Sequence, residues 1–161
     1  MSIQVGDKIP SLSLQQKTDD DVTDISTEEI FTAKKVILFA LPGAYTPTCS
    51  AAHLPGYVVK ADELKEKGID SIVCLSVNDA HVMKAWGDDQ NVEDRVLMIA
   101  DGSAHFTRAV GLEVDLSSRG MGLRSQRYAI VVNDGIVELL NLEAPGKFEV
   151  SDAETILSSL E

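Results

Sequence analysis

Three stretches of the chain are almost wholly apolar: Lys35 to Leu41 (KVILFAL), Ile69 to Val77 (IDSIVCLSV) and Arg95 to Ala100 (RVLMIA). Short runs without polar alternation suit strands covered on both faces by helices, as in parallel sheets. Between the first two, the chain from Pro47 to Lys67 predicts an amphipathic helix closed by Gly68. It must bend at Pro55, whose ring collides with the carbonyl of Ala51. Asn78-Asp79 predicts the cap of a helix through Trp86. Upstream, Leu12-Ser13-Leu14-Gln15 alternates like a short strand, Asp19-Asp20-Asp21 reads as a hairpin tip, and Ser26-Thr27-Glu28-Glu29 opens a short helix. Downstream come a helical piece from Ala104 to Val110 and a loop from Glu113 to Gln126 rich in Gly and Ser. Two strands, Tyr128 to Val132 and Ile136 to Leu142, then flank Asn133-Asp134-Gly135, a hairpin signal. A last helix, capped by Ser151-Asp152, runs to the end.

Strands alternating with helices, followed by a hairpin and a helix, predict an α/β architecture with a central mixed sheet flanked by helices. The order of elements resembles a thioredoxin-like fold. No repeat, linker or composition break divides the chain, so residues 1–161 are expected to form a single domain. An apolar content of 44% and a charged content of 25% set aside disordered, collagen-like and membrane classes. The net charge of −12 argues against nucleic acid and anionic membranes as partners. The N-terminal segment has neither the basic start nor the apolar core of a secretory signal, which gives a cytoplasmic expectation. Two cysteines outside any Cys-x-x-Cys pair make a disulfide scaffold or zinc site improbable. The Asp19-Asp20-Asp21 run lacks the spacing and Gly of a calcium loop, so no metal is expected.

The candidate chemistry concentrates where the first apolar strand meets the long helix, at Pro42-Gly43-Ala44-Tyr45-Thr46-Pro47-Thr48-Cys49-Ser50. Pro42 and Gly43 break the strand, Thr46 is a good N-cap, and Pro47 falls where its missing N–H costs nothing. Cys49 then occupies the third helical position, where unpaired amides and the helix dipole favour a negative charge. A thiol there is expected to lose its proton more readily than free cysteine, and the thiolate is the attacking form. The competing reading is a buried core thiol.

The string Pro42-x-x-x-Thr46-x-x-Cys49 is the active-site pattern of the peroxiredoxins, and the full stretch resembles their type II, or peroxiredoxin-5-like, branch. The resemblance extends to Ser76-Val77-Asn78-Asp79 and to Arg124-Ser125-Gln126-Arg127-Tyr128-Ala129. It implies a thiol peroxidase without cofactor, in which Cys49 attacks a hydroperoxide and becomes a sulfenic acid. It further implies that the Thr46 hydroxyl, the Cys49 backbone N–H and the Arg127 guanidinium donate to the peroxide, with Pro42 as a shield. Thr46 has a competing role as a plain cap. The implied partners are a hydroperoxide substrate, an external thiol reductant (glutathione, glutaredoxin or thioredoxin) and a second copy in a homodimer. A redox sensor or holdase using the same cysteine is the alternative function, and a cysteine hydrolase with His53 as base a remoter one.

Arg119, Arg124 and Arg127 fall within nine residues of an otherwise acidic chain, which suggests an anion site against the alternative of solvated loop charges. His53 lies four residues after Cys49, where a Cys–His or metal pair is conceivable. Cys74 falls inside an apolar strand, where an inert core thiol is the default. Some plant members of the branch carry a second cysteine at a similar place, so the resemblance also makes Cys74 a possible resolving thiol for Cys49. A disulfide between them would need their Cα atoms within about 7 Å.

Overall fold

The computed structural model describes residues 2–19 and 21–160. Asp20 of the expected acidic turn and Glu161 at the end of the last helix lie outside the described residues. In chain order the elements are β1 (Ser13–Lys17), β2 (Val22–Ser26), α1 (Thr27–Phe31), β3 (Lys35–Leu41), a π turn (Cys49–His53), α2 (Leu54–Glu66), β4 (Ser71–Ser76), α3 (Ala80–Asp89), β5 (Leu97–Ala100) and α4 (His105–Ala109). They continue with β6 (Glu113–Leu116), a short 3-10 turn (Ser117–Arg119), β7 (Gly122–Ser125), β8 (Tyr128–Asn133), β9 (Ile136–Leu142) and α5 (Ala153–Ser159).

Seven strands form one mixed sheet in the order β2-β1-β5-β4-β3-β8-β9. β3, β4 and β5 are parallel, as their unbroken apolar sequences predict, while β8 runs antiparallel to β3. Because successive side chains alternate across a strand, β3 feeds two cores. Ile37, Phe39 and Leu41 join Cys74, Ala129 and Val131 beneath α2, α3 and α5. Val36, Leu38 and Ala40 join Val73, Leu75 and Ile130 on the other face, against Phe31 and Phe106. The β8–β9 turn has positive φ at Asp134 (47°) and Gly135 (80°), the backbone a two-residue primed turn requires.

Three expectations change. The stretch from Glu113 to Gln126 is not a loop. It is a two-stranded hairpin, β6 with β7, whose Glu113-Val-Asp-Leu116 alternation is masked in the sequence by the surrounding Ser and Gly. The helix α3 runs past Trp86 to Asp89, because Gly87 lets it approach β5 closely: a Cβ there would meet Met98 Cγ at 2.8 Å. The bend expected at Pro55 is replaced by a wider turn. Leu54 N–H bonds to the Cys49 carbonyl, five residues back, and the chain re-enters α-geometry with Pro55 in the first turn, where no donor is needed.

Candidate active site

The parallel strands β3 and β4 end side by side, and the loop leaving β3 is tied to the one leaving β4. Asn78 Oδ1 accepts from the Ala44 amide (2.9 Å) and from Ser76 Oγ (2.6 Å), so the Ser76–Asp79 stretch anchors the loop that carries Thr46. Asp79 does cap α3, accepting from the Val82 amide. Tyr45 holds a left-handed backbone (φ 63°), and its hydroxyl donates to Asp89 at the end of α3 (2.6 Å). The first helical bond runs from Ser50 N–H to the Thr46 carbonyl (2.9 Å), which makes Thr46 the capping residue and Pro47 the first helical one. The amides of Thr48 and Cys49 are thereby left without an intrahelical acceptor. The Thr46 hydroxyl does not cap the helix. It donates to the Gly43 carbonyl (2.7 Å), because the tight Pro42–Thr46 turn brings that oxygen within reach.

Arg127 lies just before β8, in phase with Ala129 and Val131, and so projects to the face where Cys49 is buried. Its Nη2 donates to Cys49 Sγ at 3.2 Å. Its Nη1 donates to His53 Nδ1 at 2.8 Å, and His53 Nε2 meets the Ser151 carbonyl at 3.1 Å. A guanidinium can only donate and a carbonyl can only accept, so His53 carries its proton on Nε2 and is neutral. Burial, and then the positive charge of Arg127, push the His53 pKa down to about 3. His53 is therefore neither a base nor a metal partner for Cys49: it reaches the sulfur only through Arg127. The ring of Phe148 covers the guanidinium at 5.7 Å.

Ser151 is fixed in turn by Glu143, a buried carboxylate at the end of β9. Its oxygens accept from the amides of Glu149, Val150 and Ser151 and from the Ser151 hydroxyl, at 2.7–2.9 Å. Burial raises the Glu143 pKa, but these hydrogen bonds outweigh it and leave the group below its ordinary value. Glu143 carries no motif beyond being an acid at the end of an apolar strand, and of the expected Ser151-Asp152 cap it is Asp152 that caps α5, leaving Ser151 to the clasp.

The other arginines separate. Arg124 turns away from the sulfur, donating to the carbonyls of Met121 (2.9 Å) and Pro42 (3.2 Å). It packs so closely over Gly43 that a Cβ there would lie 2.7 Å from its Nη1. Arg119 instead lines a cavity of about 480 Å³ that also borders Pro42, Thr46 and Arg127. Cys74 lies in β4 opposite Phe39, fully buried in the core that also contains Cys49. Burial, and then negative charge at Cys49, push its thiol well up. Among the described residues, no group of three or more His, Cys, Asp or Glu is placed to hold a metal ion.

A buried thiol touched by a guanidinium thus lies at the end of a parallel strand and the start of a helix, and the whole chain is similar to known proteins. A family model described as Redoxin matches residues 4–157. Peroxiredoxin-2E, chloroplastic, of Arabidopsis thaliana is 50% identical over 163 residues, covering 99% of this chain and 70% of that protein. Peroxiredoxin-2C of the same plant is 47% identical, with 98% of each chain covered. The chain belongs to the peroxiredoxins. Among solved structures, reduced Prx3 of Vibrio vulnificus in complex with hydrogen peroxide superposes on this peroxiredoxin with a TM-score of 0.95, at 57% identity and with 99% of each chain covered. The thioredoxin-like fold and thiol peroxidase activity expected of it follow from this kinship.

Proposed function

We propose that Cys49 is the peroxidatic nucleophile of this peroxiredoxin and that Thr46, Arg127 and Pro42 form its peroxide site. The carrying observation is the 3.2 Å contact between Arg127 Nη2 and Cys49 Sγ, which sets a positive charge against the reacting atom. The thiolate attacks one peroxide oxygen, the S–O bond forms as the O–O bond breaks, and the departing oxygen leaves as hydroxide or alkoxide to be protonated by water. Arg127 and the free Cys49 amide donate to the oxygens as charge develops on them. The Thr46 hydroxyl proton is committed to Gly43, so its lone pairs accept the peroxide O–H instead of donating as expected from the sequence. Pro42 borders the cavity and contributes no donor, which suits a shield against water.

The substrates in this reading are hydrogen peroxide and small organic hydroperoxides. An external thiol such as glutathione, glutaredoxin or thioredoxin then attacks the sulfenic acid, releasing water, and a second thiol returns Cys49 to the reduced state. A homodimer in the cytoplasm, where such reductants are kept available, completes the reading. Mixed with one equivalent of hydrogen peroxide, the protein loses the Cys49 thiol far faster than free cysteine does. A Cys49→Ser protein that consumed peroxide equally fast would refute the assignment.

A further inference from the structure

The cavity over the site is far larger than hydrogen peroxide requires. Its volume is about 480 Å³, against roughly 30 Å³ for the share of one water in the liquid. One wall is apolar, built by Val114 and Leu116 of β6 and by Met121 before β7, and Pro145 and Phe148 add further apolar surface from the segment between β9 and α5. The charges of the lining oppose those of the protein. In a chain of net charge −12, three cations line the cavity, Arg119, Arg127 and Lys147, against a single carboxylate. That carboxylate, Glu143, is turned onto the amides of residues 149–151. Arg127 is committed to Cys49 and His53. Arg119 and Lys147 are exposed and, among the described residues, pair with no acid.

We propose that this cavity selects hydroperoxides with an apolar body and a carboxylate, the body lying on the apolar wall and the carboxylate meeting Arg119 and Lys147. The inference deepens the reading of Cys49 as the peroxidatic nucleophile and rests on it. An anionic substrate is repelled by most of the surface and drawn to this one opening, which raises its local concentration and association rate. Arg119 offers a planar fork suited to a carboxylate, and Lys147 a mobile point charge. A thiol reductant carrying carboxylates would meet the same two cations, so the two half-reactions must be measured apart.

The test is single-turnover oxidation of the pre-reduced protein with no thiol present, followed by the fluorescence of the single Trp86, whose Nε1 donates to Ser50 Oγ beside Cys49. The probes are a long-chain alkyl hydroperoxide bearing a free carboxylate and its methyl ester, at low and at high salt. The acid is expected to react about tenfold faster than the ester at low salt, a steering effect that high salt screens. In an Arg119→Gln, Lys147→Gln double variant the acid-to-ester ratio falls toward one. Equal rates for acid and ester, a preference that survives in the double variant, or a charge preference confined to the later thiol step would each overturn the proposal. Failure of the underlying reading looks different: no fast oxidation with hydrogen peroxide itself.

Discussion

Arg127 touches the sulfur with one nitrogen and a histidine with another, and that second contact is what fixes its orientation. A long guanidinium side chain has many rotamers, and a buried acceptor at 2.8 Å selects among them. His53 can serve only while neutral, since an imidazolium would present a donor and a positive charge to another cation. His53→Leu removes the acceptor, and the rate of Cys49 oxidation by hydrogen peroxide should fall by about 10- to 100-fold, the size expected when a catalytic group is displaced by about an ångström. His53→Gln, which can accept from Arg127 and donate to Ser151, should restore most of that loss, and stopped-flow oxidation of the two variants checks the ordering. The same residue shapes acid stability. Its folded pKa of about 3 lies below the unfolded value of 6.5, so between these pH values the unfolded chain binds the extra proton. Stability is therefore lost as pH falls from 6.5 toward 3, by up to about 1.4 kcal/mol per pH unit. Urea unfolding at pH 6.5 and pH 5 should show a shallower loss in His53→Gln than in the natural protein.

The elements around the site act through their ends. The π turn at Cys49–His53 places His53 beneath Arg127 and delivers Pro55 to a first helical turn, where it breaks no bond. Opposite it, Glu143 closes the segment between β9 and α5 into a clasp whose Ser151 carbonyl receives both the His53 N–H and the Tyr57 hydroxyl (2.7 Å). Glu143→Gln replaces one accepting oxygen by a donor that faces amide N–H groups. Hydrogen bonds to a charged group contribute roughly 1.5–3 kcal/mol, so a loss near 2 kcal/mol should lower the melting temperature by about 4–8 °C for a chain of this size. Thermal unfolding followed by circular dichroism checks this. Much of this architecture was legible in the sequence. The apolar runs placed β3, β4 and β5 to within a few residues, and Asn133-Asp134-Gly135 placed the last hairpin, because burial and turn geometry act locally. The motif singled out Pro42, Thr46 and Cys49 and the family resemblance Arg127, and the structure brings Arg127 onto the Cys49 sulfur and lines one cavity with Pro42, Thr46 and Arg127. His53 as a partner of Arg127, the Glu143 clasp and the turning of Arg124 onto Pro42 were not legible, because the first and last join residues more than 70 positions apart and the clasp is made to backbone amides that any residue supplies.

Cys49 and Cys74 share one core, yet the fold holds them in different ways. Cys49 sits at a helix start bordered by a cavity, whereas Cys74 lies within β4, paired on one side with β3 and on the other with β5. Closing a disulfide between them requires Cα atoms within about 7 Å and Cβ vectors that converge. It also requires a thiolate at Cys74, which burial opposes. Moving Cys74 toward the cavity would disrupt the centre of the sheet. Moving Cys49 inward would cost its contact with Arg127 and the π turn that carries His53. The lower-cost route leaves both in place and brings an external thiol down the cavity to the sulfenic acid. After one equivalent of hydrogen peroxide and no reductant, intact-mass spectrometry should show the gain of one oxygen at Cys49, and added glutathione should convert it to a mixed disulfide. A rapid and complete loss of two hydrogens, mapping to a Cys49–Cys74 bond, would show instead that the first helical turn unwinds during the cycle. Cys74→Ala separates the two: its turnover with glutathione should match that of the natural protein if the external thiol resolves Cys49, and should drop if Cys74 does.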